Sequence, residues 1–149
     1  MTIERTFVML KPNAIQRSLI GTIIGRFEQK GLKLVAAKFM QVDSAQAKLH
    51  YAEHKEKPFF SELVGFITSD PVMCMILEGD NAVTRVRNLV GHTNPAQAAP
   101  GTIRGDFGVS ITKNLVHASD SSAAAKREIA LYFSENEIID YNLEIEKHF

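Results

Sequence analysis

Within seven residues, Asn114-Leu115-Val116-His117-Ala118-Ser119-Asp120, the chain carries an amide, an imidazole, a hydroxyl and a carboxylate. Histidine, serine and aspartate together suggest nucleophilic hydrolysis, but the spacing argues against it. A Ser–His–Asp relay is a linear chain of hydrogen bonds, usually assembled from separate segments, whereas positions 117, 119 and 120 are nearly adjacent. On spacing alone, a strand-end histidine followed by Ser119 and Asp120 as helix N-caps is the plainer account. Three cations widen the options. Lys11 ends an apolar run beside Pro12, Arg87 sits at the edge of a helical face, and Arg104 lies in Gly101-Thr102-Ile103-Arg104-Gly105-Asp106-Phe107-Gly108. Taken singly, each reads as an exposed surface charge, and an arginine at a helix edge usually snorkels outward. Taken together, a strand end, a helix edge and a Gly-rich loop are places where a phosphate cradle can assemble.

Other chemistry is thin. His50 and His54 are spaced i, i+4 and could share a metal, but no third ligand accompanies them, and a solvated helix face is the simpler reading. The single cysteine, Cys74, excludes an intrachain disulfide. It lies in Val72-Met73-Cys74-Met75-Ile76-Leu77, with no charged neighbour to lower its pKa, and reads as a buried, inert thiol. There is no Gly-x-x-x-x-Gly-Lys-[Ser/Thr] loop, no Gly-x-Gly-x-x-Gly and no Gly-x-Ser-x-Gly elbow.

The elements that must position these groups follow from periodicity. Thr6–Leu10 is a strand stopped by Lys11-Pro12. Ile20, Ile23, Ile24 and Phe27 repeat at helical spacing, so residues about 19–30 read as a helix closed by Gly31. Leu32–Val42 reads as a strand. Asp43 caps the next helix, with Gln46 in capping-box position, and that helix runs to about Glu53. A short helix after Pro58 carries Phe60, Leu63, Val64 and Ile67. Val72–Leu77 is an apolar strand. Asn81 caps a helix with Val83, Val86 and Val90, ending at Gly91. Residues about 92–114 look irregular, and a loop of that length in a compact domain is often functional. Leu115–Ala118 is a short strand, and Asp120 or Ser121 caps a helix to about Phe133. The tail after Asn136 carries Ile138, Ile139, Leu143 and Ile145, which could dock on a neighbour. The order predicts an α/β (α+β) ferredoxin-like sandwich: a four-stranded antiparallel β-α-β-β-α-β sheet with helices packed on it.

At 149 residues the chain fits one domain, 1–149. With 45% hydrophobic and 23% charged residues it is neither disordered nor fibrous. Lys+Arg and Asp+Glu both number 17, so a general polyanion binder, which needs cationic excess, is disfavoured. The apolar runs fall short of the ~20 residues that span a bilayer, and no apolar leader follows the N-terminus, so the expected setting is cytoplasmic without membrane contact.

Asn114-x-x-His117-x-Ser119-Asp120 resembles the signature of the nucleoside diphosphate kinases. Lys11-Pro12-Asn13-Ala14, Tyr51-x-x-His54, Lys57-Pro58-Phe59-Phe60, Thr93-Asn94-Pro95 and Pro100-Gly101-Thr102-Ile103-Arg104-Gly105-Asp106-Phe107 look like further segments of that family, in family order, from Glu4 to about Tyr141. The resemblance implies transfer of the terminal phosphate from a nucleoside triphosphate, typically ATP, to a nucleoside diphosphate. The route would be ping-pong through a phosphohistidine on His117, maintaining NTP and dNTP pools with little base specificity.

It further implies that Glu128 accepts a hydrogen bond from the other ring nitrogen, and that Tyr51 lines the site beside His117. Arg87, Thr93 and Arg104 would hold phosphates, with His54 nearby. Lys11 and Asn114 would contact the ribose hydroxyls and the phosphate end. Phe59 would stack on the base, with Leu63 and Ile111 adding apolar contact. Mg²⁺ would be held by the nucleotide phosphates, with Asp120 reaching its water shell, and need no direct protein ligand. The implied assembly is a homo-oligomer, a hexamer rather than a tetramer. Ala118 stands where the family often has glycine, and Asn13 where aspartate is common; Ala118 would matter only if its backbone needed positive φ.

Two other classes compete. An RNA-binding module on the same fold would need exposed aromatics on adjacent strands and a basic face, whereas the aromatics here sit mostly in helical patterns. A Ser119 hydrolase fails on spacing.

Overall fold

The computed structural model describes residues 2–149. β1 (Ile3–Leu10) leads through α1 (Pro12–Gln16) and α2 (Ile20–Gln29) to β2 (Lys33–Met40). α3 (Ser44–His50), a 3₁₀ turn at Ala52–His54 and α4 (Phe60–Ile67) lead to β3 (Val72–Asp80). α5 (Ala82–Val90) and α6 (Ile103–Phe107) precede β4 (Val116–Ala118), and α7 (Ser122–Tyr132) follows it. The strands form one sheet in the order β2-β3-β1-β4, with every neighbouring pair antiparallel. β1 and β2 therefore run parallel across β3, and β3 and β4 run parallel across β1. This is the ferredoxin-like arrangement that the element order predicts.

Side chains alternate across the sheet. Val8, Leu10, Met75 and Leu77 pack against Ile23 and Phe27 of α2 and Val86 and Val90 of α5. Phe7, Met9, Cys74 and Ile76 pack against Ala47, Ile67 and Tyr132 of α3, α4 and α7. Burial of both faces explains why the strands read as continuous apolar runs. Of the phenylalanines on the strands, Phe7 is buried and only Phe39 is exposed, so adjacent strands present no pair of exposed aromatics for bases to stack on, which the RNA-module alternative requires.

Several boundaries differ from expectation. β1 starts at Ile3 rather than Thr6, and β3 runs on to Asp80, because polar residues pair across the strands: Arg5 Nε donates to Glu78 Oε2 at 2.8 Å. α3 stops at His50 instead of reaching Glu53, so His50 and His54 do not share a solvated helix face. His50 is buried, with its Nδ1 3.0 Å from the Tyr132 hydroxyl. Asp43 caps α3 by accepting from the Gln46 N–H at 2.8 Å, but the Gln46 amide donates to the Leu131 carbonyl instead of closing a capping box. Asn81 takes a left-handed φ of 51° and caps nothing; the Val83 N–H donates to Glu4 Oε1 at 2.9 Å. Glu4 Oε2 accepts from the Ser122 hydroxyl at 3.3 Å, so one carboxylate joins the starts of two helices. Ser121, not Ser119 or Asp120, caps α7 by accepting from the Ala124 N–H at 3.0 Å.

The stretch 92–114 is less irregular than its glycines and prolines suggest. It holds a 3₁₀ turn, Pro95–Gln97, and α6, whose Thr102 hydroxyl accepts from the Gly105 N–H at 3.0 Å. Arg26 of α2 pins it through Asp106 at 2.6 Å and the Gly101 carbonyl at 3.1 Å, with its guanidinium 4.8 Å from the Phe107 ring centre. Gly91 opens the loop at φ 91°, where a Cβ would lie 2.5 Å from the Thr102 hydroxyl. The C-terminal tail folds back on its own β2. The Ile139 N–H donates at 2.9 Å to the Val35 carbonyl, at a bulge between Leu34 and Ala36, and Phe149 lies on Gly31. No helix among the described residues is long and apolar enough to cross a membrane.

Candidate active site

β4 pairs only with Val8–Leu10. Its alternation turns Val116 and Ala118 inward toward the α2/α5 side and His117 toward the opposite face. The strand begins on a strained turn. The Val116 N–H donates to the Asn114 carbonyl at 2.9 Å across Leu115, whose φ is 75°, an uncommon γ-turn for a residue with a Cβ. The Leu115 carbonyl in turn accepts from the Lys11 N–H at 2.8 Å. Ala118 is not among the positive-φ residues, so the alanine there carries no backbone penalty.

His117 Nε2 lies 2.8 Å from Glu128 Oε1, on α7. Ser119 Oγ donates to the same oxygen at 2.7 Å. Burial alone would raise the Glu128 carboxyl, but the hydrogen bonds from His117 and Ser119 hold it below the usual range. An ionised carboxylate only accepts, so the imidazole proton resides on Nε2 and Nδ1 keeps its lone pair. Ser119 is fully buried and committed to Glu128, which removes it both as a nucleophile and as an N-cap.

Cations converge on the same pocket. Lys11 Nζ donates to Asn114 Oδ1 at 2.9 Å, and Asn114 Nδ2 donates to the Thr93 carbonyl at 3.0 Å. Burial, together with nearby Arg104, lowers Lys11 to about 7. Arg87 on α5 donates to the Ala118 carbonyl at 3.1 Å. Arg104 is almost wholly buried and donates to the carbonyls of Asn114 at 3.2 Å, Gly91 at 3.1 Å and Val116 at 2.5 Å. A guanidinium has five N–H donors, so two remain for a ligand. Burial, with Arg87 adjacent, lowers Arg104 to about 10.

These groups line a polar cavity of about 230 Å³ that also contains His54, Thr93, Asp120 and Glu128. Tyr51 borders it, and burial pushes its hydroxyl up to about 12, so the phenol stays neutral. His54 Nδ1 is buried there without a hydrogen-bond partner. An adjoining cavity of about 640 Å³ is lined by Phe59, Leu63 and Phe66 on one side and by Ile111, Thr112 and Lys113 on the other. Phe59 is 43% exposed, an aromatic face open to a flat ligand. A larger cavity, about 830 Å³, lies between Ile3, Arg5 and the outer side of α7 and holds none of these groups. Cys74 is buried away from the site, and burial pushes its thiol up to about 12.

The structure thus gathers every residue to which the family resemblance gives a role around two adjoining cavities, while Cys74 and Ser119 line neither. Three participants escaped that reading. Ser119 looked like a cap, although it orients Glu128. His50 looked solvated, although it packs on His117. Tyr132, which holds His50, carried no sequence signature. Among the described residues no three His, Cys, Asp or Glu side chains gather as a metal cage.

Comparison with known proteins agrees over nearly the full length. The sequence profile of the family described as Nucleoside diphosphate kinase matches residues 4–138. The nucleoside diphosphate kinase of Archaeoglobus fulgidus is 60% identical over 138 residues, covering 93% of this chain and 91% of its own. That of Macrococcus caseolyticus is 60% identical over 140 residues, covering 94% and 95%. Among solved structures, the halophilic nucleoside diphosphate kinase of Halobacterium salinarum in complex with CDP superposes with a TM-score of 0.96 at 51% identity, covering 99% of this chain and 98% of its own. A nucleoside diphosphate kinase family protein from Babesia bovis gives 0.94 at 50% identity, covering 97% and 98%. With the fold, the pocket and these likenesses in agreement, the chain belongs to the nucleoside diphosphate kinases, a family of phosphotransferases.

Proposed function

We propose that the chain moves the terminal phosphate of a nucleoside triphosphate, typically ATP, onto a nucleoside diphosphate in two half-reactions carried by His117. The observation that carries this reading is the imidazole tied through Nε2 to Glu128 with Nδ1 free beside a cluster of cations. Nδ1 attacks the γ-phosphorus; the P–Nδ1 bond forms as the bond to the β,γ-bridging oxygen breaks. The diphosphate leaves with that oxygen and its electron pair. Nε2 keeps its proton throughout, and the Glu128 carboxylate stabilises the positive charge that builds on the ring. A second diphosphate then attacks the phosphoryl group in reverse. The second half-reaction is the first in reverse and the overall exchange is of one phosphoanhydride for another, so one site serves both, which suits maintenance of NTP and dNTP pools.

Arg87 and the two spare donors of Arg104 offset charge on the phosphates, with Thr93 and His54 completing the cradle. Lys11 and Asn114, already hydrogen-bonded to each other, face the sugar and the phosphate end. Phe59 stacks on the base, with Leu63 and Ile111 beside it, giving affinity without reading base edges. The CDP complex of the Halobacterium salinarum relative supports a nucleoside diphosphate as ligand.

Mg²⁺ fits as a guest of the phosphates. The pocket offers Asp120 as an exposed carboxylate at its rim but no cage, so the ion would be held chiefly by phosphate oxygens, with Asp120 contacting it through water. When bound it neutralises phosphate charge. The assembly is taken as a homohexamer and the setting as cytoplasmic, on the family likeness; sedimentation distinguishes six copies from four.

The test is incubation with γ-labelled ATP and Mg²⁺ without acceptor. The protein should take up acid-labile, base-stable label that any added nucleoside diphosphate removes. Label on serine, or none, defeats the reading.

A further inference from the structure

His50 ends α3 with only 3% of its surface exposed, and the reaction above gives it no task. Its Nδ1 lies 3.0 Å from the Tyr132 hydroxyl on α7. Its ring meets the His117 ring edge to face, with centres 4.6 Å apart and planes at 71°. Tyr51 stands against its other flank at 4.7 Å, and Phe7 at 6.4 Å. Burial, with His117 beside it, pushes the His50 imidazole down to about 3, so it adds no charge to the pocket.

The His117 ring is attached to the chain at Cγ and anchored to Glu128 at Nε2. Two points on one line leave a ring free to roll about that line. This roll carries Nδ1 toward or away from the phosphates, and the Glu128 hydrogen bond does little to resist it. A rigid aromatic edge packed against the ring blocks the motion, and edge-to-face pairs at this distance attract. Reactivity depends steeply on such alignment.

Resting on the reading of His117 as phosphate carrier, we propose that His50 is a positioning residue: held by Tyr132, it stops the His117 ring from rolling and keeps Nδ1 aimed into the pocket. A histidine that merely filled the core would affect stability but not the ring dynamics of its neighbour.

The experiment uses the full chain as wild type, His50→Ala, His50→Phe and Tyr132→Phe. Three quantities are measured: the single-turnover rate of phosphorylation by ATP and Mg²⁺, the affinity for ADP, and the ¹⁵N signals of the His117 ring. His50→Ala should slow phosphorylation about 10–100-fold, by analogy with loss of the partners that orient metal-bound histidines. ADP affinity should stay within about twofold, and the His117 signals should broaden or double. His50→Phe restores an aromatic edge but not the bond to Tyr132, so it should recover the rate to about that of Tyr132→Phe and well above that of His50→Ala. Tyr132→Phe keeps the ring but frees His50, and should slow the step several-fold; it carries the test alone if His50→Ala does not fold. Wild-type rates with one sharp His117 signal in His50→Ala, or in Tyr132→Phe, overturn the inference. A wild type that takes no label defeats the phosphohistidine reading instead.

Discussion

The two faces of the sheet share the same four strands but differ in what they bury. Under α2 and α5 the packing is aliphatic with Phe27 at its centre. Under α3, α4 and α7 the apolar packing is interrupted near β4 by His50, Tyr51, His117 and Glu128, each needing a partner. The first face can be tuned by volume alone. On the second, a change at one polar group leaves another unpaired, which costs far more than the lost contact. At the β4 edge, where α5 and α6 meet the second face, Lys11, Arg87 and Arg104 line a cavity whose one buried carboxylate, Glu128, is already committed to His117 and Ser119, with Glu53 and Asp120 exposed on its lining.

This contrast can be broken deliberately. The largest effect is expected from His117→Ala, which should lower phosphate transfer at least about 10⁴-fold in a coupled NTP assay, while the melting temperature falls by a few degrees because buried Glu128 loses its imidazole partner. The mirror experiment is Phe27→Ala on the opposite face. Denaturant titration should show a loss of about 3–5 kcal/mol, with kcat of the folded fraction within twofold of wild type. A kinetic defect there would show that the faces are not independent. Glu128→Gln should retain nucleotide binding but slow phosphorylation about 10–100-fold, read by single-turnover labelling.

The smallest effect sharpens the charge argument. Burial, with Arg104 nearby, pulls the Lys11 ammonium down from its ordinary 10.5 to about 7. Below about pH 7 it is charged in both states and the folded form bears the full penalty; between there and 10.5 the folded state has released its proton and the unfolded state has not. Stability of the ligand-free protein should thus climb across that window. Lys11→Met removes the penalty, so it should raise the melting temperature by a few degrees below pH 7, with the gain fading toward 10.5, while weakening nucleotide binding.

What the chain discloses in advance follows the range of the forces involved. Thr6–Leu10 and Val72–Leu77 were legible as strands because both of their faces are buried. His117, Arg104 and the Gly-rich segment were legible because the family motifs are contiguous. The duties of Ser119 were not, because a hydroxyl just before a helix has the composition of a cap, and only the turn from β4 into α7 aims it at Glu128. His50 was misread because α3 ends one turn early. The cap of α5 is Glu4, far away in sequence, and no local rule finds it. Arg104 was foreseen as a phosphate ligand; that three backbone carbonyls already occupy it, making it a staple for the loop as well, depends on tertiary closure.

The position of β1 in the middle of the sheet has a consequence for biosynthesis. β1, made before either of its neighbours, pairs Phe7 with Ile76 and, at its other edge, Met9 with His117. One of its edges therefore stays open until β3 is made and the other until β4 is made, and pairing so remote in sequence forms slowly. Nascent chains arrested before residue 116 carry an apolar strand with one unsatisfied edge, a template for aggregation that chaperones must shield.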